Sequence, residues 1–445
     1  MKKMAIIGAG LSGLVCAWYT KELHPEADIT LFEADRKGGQ VHTEEHEGVA
    51  LEVGPAFLVL ENPVLQNILT RIGAGGLQLC KDEKAYVVKD TYYQKAPGGF
   101  MEFENDQFSF LAGGLAAIFG TKKKVNLWES VSFFDFLKMT YGATYAETLG
   151  SAFSRNVFYA EAEHLNFRAA CPQLYDELKK GQGLKASVQA IAADRRAKWQ
   201  QALPGAHTPG LYYYKGGLAK LVEALVEDLK NKNVHLEFAK IHDITSHNGE
   251  HTLHSKKSKY GPFAKIISTA GAHEQAEFWK SSHKDLSVKL AELKHRQVSY
   301  IYSAWNMKDF NRAGLGFFAP RKEKLTISGA VYMNSLNGDI EEKNQFVART
   351  IIPGDLSLFN DQELADIQAT DFEKVFSLKT RPLWSKVYRR DTAGPALDTN
   401  YLPWKKTVQE MAQGLPGVSI IGNDMCGGDI SRVLEEAYNV ATGPA

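Results

Sequence analysis

Residues 4–14, MAIIGAGLSGL, set Gly8, Gly10 and Gly13 directly behind a short apolar run, and Glu33 closes the next apolar run twenty residues after Gly13. Glycines at this spacing suit one kind of chemistry, the binding of a dinucleotide. Gly8 permits a tight turn, Gly10 lets a pyrophosphate approach the backbone, and Gly13 lets a helix pack closely on the preceding strand. The unpaired N–H groups of that helix then face the phosphates. Glu33 is placed to accept a ribose hydroxyl, and its charge would repel a 2′-phosphate, which disfavours NADP.

The elements that must position these residues are legible around them. MAII reads as a buried parallel strand, residues 14–23 (LVCAWYTKEL) as a helix ended by His24-Pro25, and DITLFEAD as a second strand carrying the acid. The chain closes on GVSIIGNDMCGGDISRVLEEAYNVA, a strand, a glycine-rich loop with Gly422, Gly427 and Gly428, and a helix. The positive end of that helix could hold negative charge developing on a cofactor. The first and last segments are therefore expected to meet around one extended cofactor, with the middle of the chain inserted between them.

At 445 residues the chain exceeds the size at which a single core keeps growing, so two or three units are expected. Lys plus Arg and Asp plus Glu both number 52, so no global field recruits nucleic acid. Cys16, Cys80, Cys171 and Cys426 have no metal-ligand spacing and read as the buried thiols of a reduced protein. The histidines form no HExxH-type pair, so no catalytic metal is expected. No apolar run reaches the roughly 18 residues of a membrane span, and the N-terminus enters its first strand too early for a signal peptide. A cytoplasmic protein is expected; contact with the inner face of a membrane and a homodimer both stay open.

Between the ends, VALEVGPAF reads as a strand running into a Gly-Pro turn, PVLQNILTRIGAGG as a helix with a glycine stop, and residues 84–101 as a hairpin. Residues 105–204 are mainly helical in pattern. FLAGGLAAIFG and LWESVSFFDFLKMTYG line a core or a substrate cavity, or else, with the KKK at 122–124 between them, a membrane-contacting surface. Arg195, Arg196 and Lys198 read as a solvated face, with contact to an acidic partner or substrate as the alternative. LYYYKGGLAKLVEALVEDLKN returns to strand and helix, VHLEF and AKIISTA add strands, and QVSYIYSAW, GLGFFAP and LTISGAVYM form a separate sheet.

Taken together, MAIIGAGLSGL…LFEAD…GGQVHT…LEVGPAF and IIGNDMCGGDI resemble the two ends of the flavin-dependent amine oxidase superfamily. WESVSFFDFL, FYAEAEHLNFRAACPQLYDELKKGQGL, YYYKGGLAKLVEAL and GLGFFAPRKEKLTISGAVY follow in the order and spacing of its protoporphyrinogen oxidases. The resemblance implies an α/β fold with three parts. A Rossmann-like FAD-binding domain would take 1–60, 205–275 and 395–445. An inserted mixed-sheet substrate domain would take 61–104 and 276–394, and a helical domain 105–204.

It also implies FAD as cofactor, a small-molecule porphyrinogen as substrate, and oxygen as the acceptor that reoxidises the flavin. Matched by motif, Gly8, Gly10, Leu11, Ser12 and Gly13 would surround the pyrophosphate, Glu33 the adenosine ribose, and Ile241 and Thr269 the adenine. Gly39, Gln40 and Thr43 would lie along the phosphate and ribityl side, and Gly54, Pro55, Ala56 and Phe57 near the isoalloxazine. Gly422, Asn423, Gly428, Asp429 and Ile430 would lie at the ribityl and pyrimidine end. Two positions depart from the pattern: Gln40 stands where many relatives carry a basic residue, and Ala85 where propionate-binding relatives often carry arginine.

Hydride transfer to a flavin needs a dry cavity and no obligatory catalytic acid, so no catalytic residue is assigned. A porphyrinogen is a broad apolar ring with anionic edges, which calls for aromatic walls with cations at the rim; Phe317, Phe318 and Tyr332, with Phe57, are the expected walls. An FAD-dependent amine oxidase or desaturase with another apolar substrate, and a non-catalytic flavoprotein, are the competing functions.

Overall fold

The computed structural model describes residues 3–80, 85–89, 92–95, 128–181, 183–205 and 209–443. Its centre is a five-stranded parallel sheet. The strands stand in the order His235–Phe238, Ile29–Glu33, Met4–Ile7, Lys265–Ser268 and Val418–Ile420. Met4 aligns with both Ile29 and Lys265. The inner strands are apolar on both faces, as a parallel sheet covered on two sides requires. The helix Leu11–Leu23 is buried from Leu11 to Lys21 and packs against the last helix, Ile430–Thr442. Being enclosed all round, it needs no polar stripe.

Between the strands His235–Phe238 and Lys265–Ser268 lies an antiparallel meander, Ile241–His247, Glu250–Ser255 and Lys259–Phe263. The sequence reading passed over it, because HDITSH and EHTLHS are largely polar. Asn248-Gly249 was the available signal: both residues have positive φ, +52° and +77°, as a tight hairpin turn demands.

The second layer is a seven-stranded mixed sheet. Its order is Trp384–Pro395, His295–Asn306, Gln345–Pro353, Gly329–Tyr332, Gly316–Phe318, Ala85–Lys89 and Tyr92–Lys95. The helix Asp361–Phe376, started by an Asn360/Glu363 capping box, covers one face. The other face, with Val298, Tyr300, Tyr302, Val331, Val347 and Ile351, packs on Val49, Leu51, Val53 and Ala56.

Strand alternation corrects part of the expected cavity lining. Phe317 and Tyr332 lie on the helix-covered face, packed with Trp305, Phe346 and Phe372. Phe318 points the other way and meets Phe153 of the helical layer at 6.4 Å. Composition could not separate these residues, because adjacent positions on a strand face opposite sides.

The described part of the helical layer runs from Phe133–Tyr141 to Leu184–Trp199. Phe136 and Phe167 stack in it at 3.8 Å. The FLAGGLAAIFG segment and Lys122–Lys124 lie outside the described residues. The basic run of the long helix is not a solvated face throughout: Arg195 pairs with Glu61 at 2.5 Å, and Lys198 pairs with Glu435 of the last helix at 2.7 Å.

Candidate functional site

The N-terminal glycines divide into two kinds. Gly8 has φ +106°, and a Cβ at Gly13 would sit 2.0 Å from the Gly8 carbonyl oxygen, so the chain itself requires both. Gly10, the residue before the helix, has ordinary extended backbone at φ −73° and ψ 175°. A Cβ there would approach nothing closer than 3.8 Å. The protein does not need glycine at position 10, whereas a ligand lying against that backbone does. Two residues on, the Ser12 hydroxyl is buried and has no hydrogen-bond partner among the described residues, and Leu11 is buried beside it.

Glu33 ends its strand with one carboxylate oxygen accepting from the Ala9 N–H at 2.8 Å and the other from the Asp35 N–H at 3.0 Å. The chain leaves this corner through the Ala239 N–H, which donates to the Glu33 carbonyl, and Ile241 is buried two residues later. The Thr269 hydroxyl donates to the Ile7 and Gly8 carbonyls at 3.0 and 3.1 Å, clamping the glycine turn. A Cβ on Gly422 would meet the Thr269 carbonyl oxygen at 3.0 Å. The first turn, the fourth strand's end and the closing loop thus converge, as the two-ended cradle requires.

Gly38 donates to the Ala9 carbonyl at 2.8 Å, which lays the Gly38-Gly39 turn against Gly10. The Gln40 amide bonds outward to the broad sheet, to the Arg390 guanidinium and, at 3.2 Å, to the Thr392 carbonyl. Thr43 is occupied differently from the expected phosphate-side role. Its hydroxyl donates to Glu52 at 2.9 Å and accepts from the Ala219 N–H at 3.0 Å, at the start of the helix Leu218–Asn231. Glu52 is fully buried and also accepts the Leu218 N–H; burial pushes its carboxyl up to about 7.

At the Gly54-Pro55-Ala56-Phe57 turn, a Cβ on Gly54 would fall 1.8 Å from the Gln40 carbonyl oxygen. The Gly54 carbonyl accepts from Arg349 at 2.6 Å. In the closing loop Gly422 and Gly428 have φ +113° and +83°, and the Gly428 N–H returns to the Asn423 carbonyl at 3.1 Å. Asp429 caps the helix that begins at Ile430 by accepting the Arg432 N–H at 3.1 Å. Between them Asp424 takes the Ala272 N–H at 2.8 Å and His295 at 3.1 Å. Burial opposes charge on His295, but the bond to Asp424 and its charge prevail and hold the imidazole above its ordinary value. A cavity of about 140 Å³ beside Asp429 is walled by Phe153, Phe158 and Cys171 and edged by Arg195 and Arg432.

Sequence reasoning missed the cations around this turn. Arg296, Arg349 and Arg390 come from three different strands of the broad sheet. Arg349 is 3% exposed and lies 3.6 Å over the Tyr300 ring. The signal was an arginine inside an apolar strand, FVARTII, where a charge is costly unless it has work to do.

The residues present fit an adenine dinucleotide: an idle glycine at the helix start, a serine hydroxyl in the first helical turn with no partner among the described residues, and an acid at the second strand's end. The profile of the flavin containing amine oxidoreductases matches residues 11–442, and the chain belongs to that family. It is an FAD-dependent oxidoreductase. Relatives with established names are more specific. The coproporphyrinogen III oxidase of Staphylococcus aureus is 22% identical over 441 residues, covering 95% of this chain and 94% of that one. Protoporphyrinogen oxidase 2, chloroplastic/mitochondrial, of Arabidopsis thaliana is 21% identical over 477 residues, 99% and 93% of the two chains. The fold reaches further than either name. The crystal structure of reduced UDP-galactopyranose mutase superposes with a TM-score of 0.72 at 12% identity, covering 99% of this chain and 93% of that one. Fold alone therefore does not choose the substrate.

Proposed function

We propose that this protein oxidises a porphyrinogen, protoporphyrinogen IX or coproporphyrinogen III, to the porphyrin in haem biosynthesis, with oxygen as the final acceptor. The observation that carries this reading is the near-complete coverage of both chains in the match to named porphyrinogen oxidases. FAD, when bound, supplies the hydride acceptor. The residues of the chain bind, orient and exclude water. Gly8, Gly10, Leu11, Ser12 and Gly13 hold the pyrophosphate, and Glu33 takes the adenosine ribose with Ile241 and Thr269 at the adenine. Gly39 and Gln40 follow the phosphates, while Thr43 supports them by fixing the neighbouring helix. Gly54, Pro55, Ala56 and Phe57 meet the ring system on one side, and Gly422, Asn423, Gly428, Asp429 and Ile430 its pyrimidine end. The substrate lies between the helical layer and the face of the broad sheet turned away from the helix Asp361–Phe376, with Phe318 as a wall.

The three-part division into 1–60, 205–275 and 395–445, then 61–104 and 276–394, then 105–204, assigns the cradle to the first, the broad sheet to the second and the facing helical wall to the third. Four cysteines without disulfides suit a reducing compartment, and we place the protein in the cytoplasm. Among the described residues no helix is long and apolar enough to cross a membrane.

The test is anaerobic bleaching of the FAD-loaded protein by protoporphyrinogen or coproporphyrinogen, with porphyrin fluorescence appearing on aeration. Bleaching by amines and not by porphyrinogens would replace this reading with an amine oxidase acting through the same cradle.

A further inference from the structure

Arg296 lies 6.0 Å over the Tyr159 ring and Arg349 3.6 Å over the Tyr300 ring, and Arg390 is within electrostatic reach of both phenols. The Tyr300 hydroxyl donates to the Tyr159 hydroxyl at 3.0 Å. Among the described residues none of the three guanidiniums is in an ion pair. Bringing like charges together out of water is costly, by several kcal/mol for each unpaired ion even after relaxation, on the order of magnitude known for buried ions. An arrangement of this kind is relieved by an anion.

The three cations do not have equal freedom. Arg349 is committed to the Gly54 carbonyl and to the face of Tyr300. Arg296 is 9% exposed, donates to the Phe158 carbonyl, and keeps its Nε–H buried with no partner among the described residues. One of its terminal nitrogens lies 3.3 Å from where a Cβ on Gly428 would stand, beside the closing loop of the cradle. Burial lowers this guanidinium to about 10, and the charge of Asp424, which acts the other way, does not offset it. Arg390 is half-buried and rests on the neutral Gln40 amide. Tyr159 reaches the same place from the helical layer. It holds a left-handed backbone at φ +50°, a conformation that a bulky residue adopts only where its surroundings impose it. The cluster therefore spans the seam between the helical layer and the broad sheet, and borders the cradle at Gln40, Gly54 and Gly428.

The geometry points to an anion-binding site made of Arg296, Arg390 and the Tyr159 hydroxyl that takes a carboxylate of the substrate. This rests on the porphyrinogen reading, whose substrate carries carboxylate arms on an apolar ring. Guanidinium and phenol together suit a carboxylate, the first through parallel N–H donors and the second through one further O–H.

The experiment titrates coproporphyrin III, and separately its tetramethyl ester, into the FAD-loaded full-length protein, following porphyrin fluorescence and the flavin spectrum. The acid is expected to bind the unmodified protein more tightly than the ester. Arg390→Gln and Arg296→Gln should each weaken the acid about tenfold or more, the loss of one charged hydrogen bond, and leave the ester unchanged. Tyr159→Phe should weaken the acid by about threefold to tenfold, a neutral-donor loss. Arg296→Lys should recover part of the loss. If burial makes the Arg296 variants fail to fold, Arg390, half-exposed on its strand, carries the test alone. Equal binding of acid and ester by the unmodified protein would overturn the assignment. So would variants that weaken both in proportion, or that shift the flavin midpoint potential while acid binding holds. Absence of any porphyrin binding by FAD-loaded protein would instead remove the porphyrinogen reading, and this site's ligand with it.

Discussion

Two alanine substitutions three residues apart should have opposite signatures. At Gly13 a Cβ would stand 2.0 Å from the Gly8 carbonyl oxygen, where real Cβ contacts essentially never fall below 3.0 Å. Helix and strand would have to part by about 1 Å, and such overpacking typically costs about 1–3 kcal/mol. The helix has nowhere to go, since Leu14, Val15, Cys16 and Ala17 are all fully buried. Helix propensity acts the other way and favours alanine over glycine by about 1 kcal/mol. A net loss of stability in Gly13→Ala would show that the contact outweighs propensity. At Gly10 the nearest atom is 3.8 Å away and the backbone is ordinary, so Gly10→Ala should leave the melting temperature of the cofactor-free protein unchanged or raised. Its cost appears only with cofactor, because the new methyl occupies the backbone surface on which a pyrophosphate would lie. The assay is thermal unfolding of cofactor-free protein beside FAD affinity from quenching of flavin fluorescence. Gly10→Ala with undiminished FAD affinity would refute the assignment of that surface to the phosphates. Gly13→Ala with a raised melting temperature would refute the packing argument.

Glu33→Lys should weaken FAD binding by about tenfold or more, because it removes a charged acceptor and adds a cation where the Ala9 and Asp35 N–H groups converge; unchanged flavin occupancy would count against the ribose assignment. Glu52 gives a pH effect of defined sign. Its carboxyl rises from 4.5 to about 7 on folding, so the folded state holds the proton more tightly, and the stability this confers is full below pH 4.5 and lost as pH rises through 7. The loss is roughly 3 kcal/mol at most. Glu52→Gln should flatten that slope, which urea midpoints at pH 5 and pH 8 would report, and an unchanged slope would assign it elsewhere. Phe317→Ala should cost about 3–5 kcal/mol of stability, a buried aromatic lost from a core, without changing KM for substrate. A raised KM in a protein of unaltered melting temperature would put Phe317 back on the chamber wall.

What was legible in the chain was what short-range geometry dictates. Gly8 and Gly13 are demanded by a turn and a close approach within a few residues of one another, and apolar runs of strand length announced the parallel sheet. The polar meander at 241–263 escaped because its strands carry little apolar pattern to read. The uses of Thr43 and Gln40 escaped for another reason. Thr43 hydrogen-bonds to Ala219 and Gln40 to Arg390, partners 176 and 350 residues away, and no local spacing encodes such a neighbour.

The amino-acid order by itself determined the cradle: a glycine-punctuated turn at one end, a glycine-rich helix start at the other, and the acid between. Tertiary structure alone decided which side chains of the broad sheet face the helical layer. Strand register turned Phe317 and Tyr332 into a core and Phe318 toward the helical layer. It also gathered Arg296, Arg349 and Arg390 from three strands onto one tyrosine pair. The physical reason is that a turn is settled by the backbone conformations of consecutive residues, whereas the face a side chain looks from, and the charges it meets there, depend on how distant strands pair.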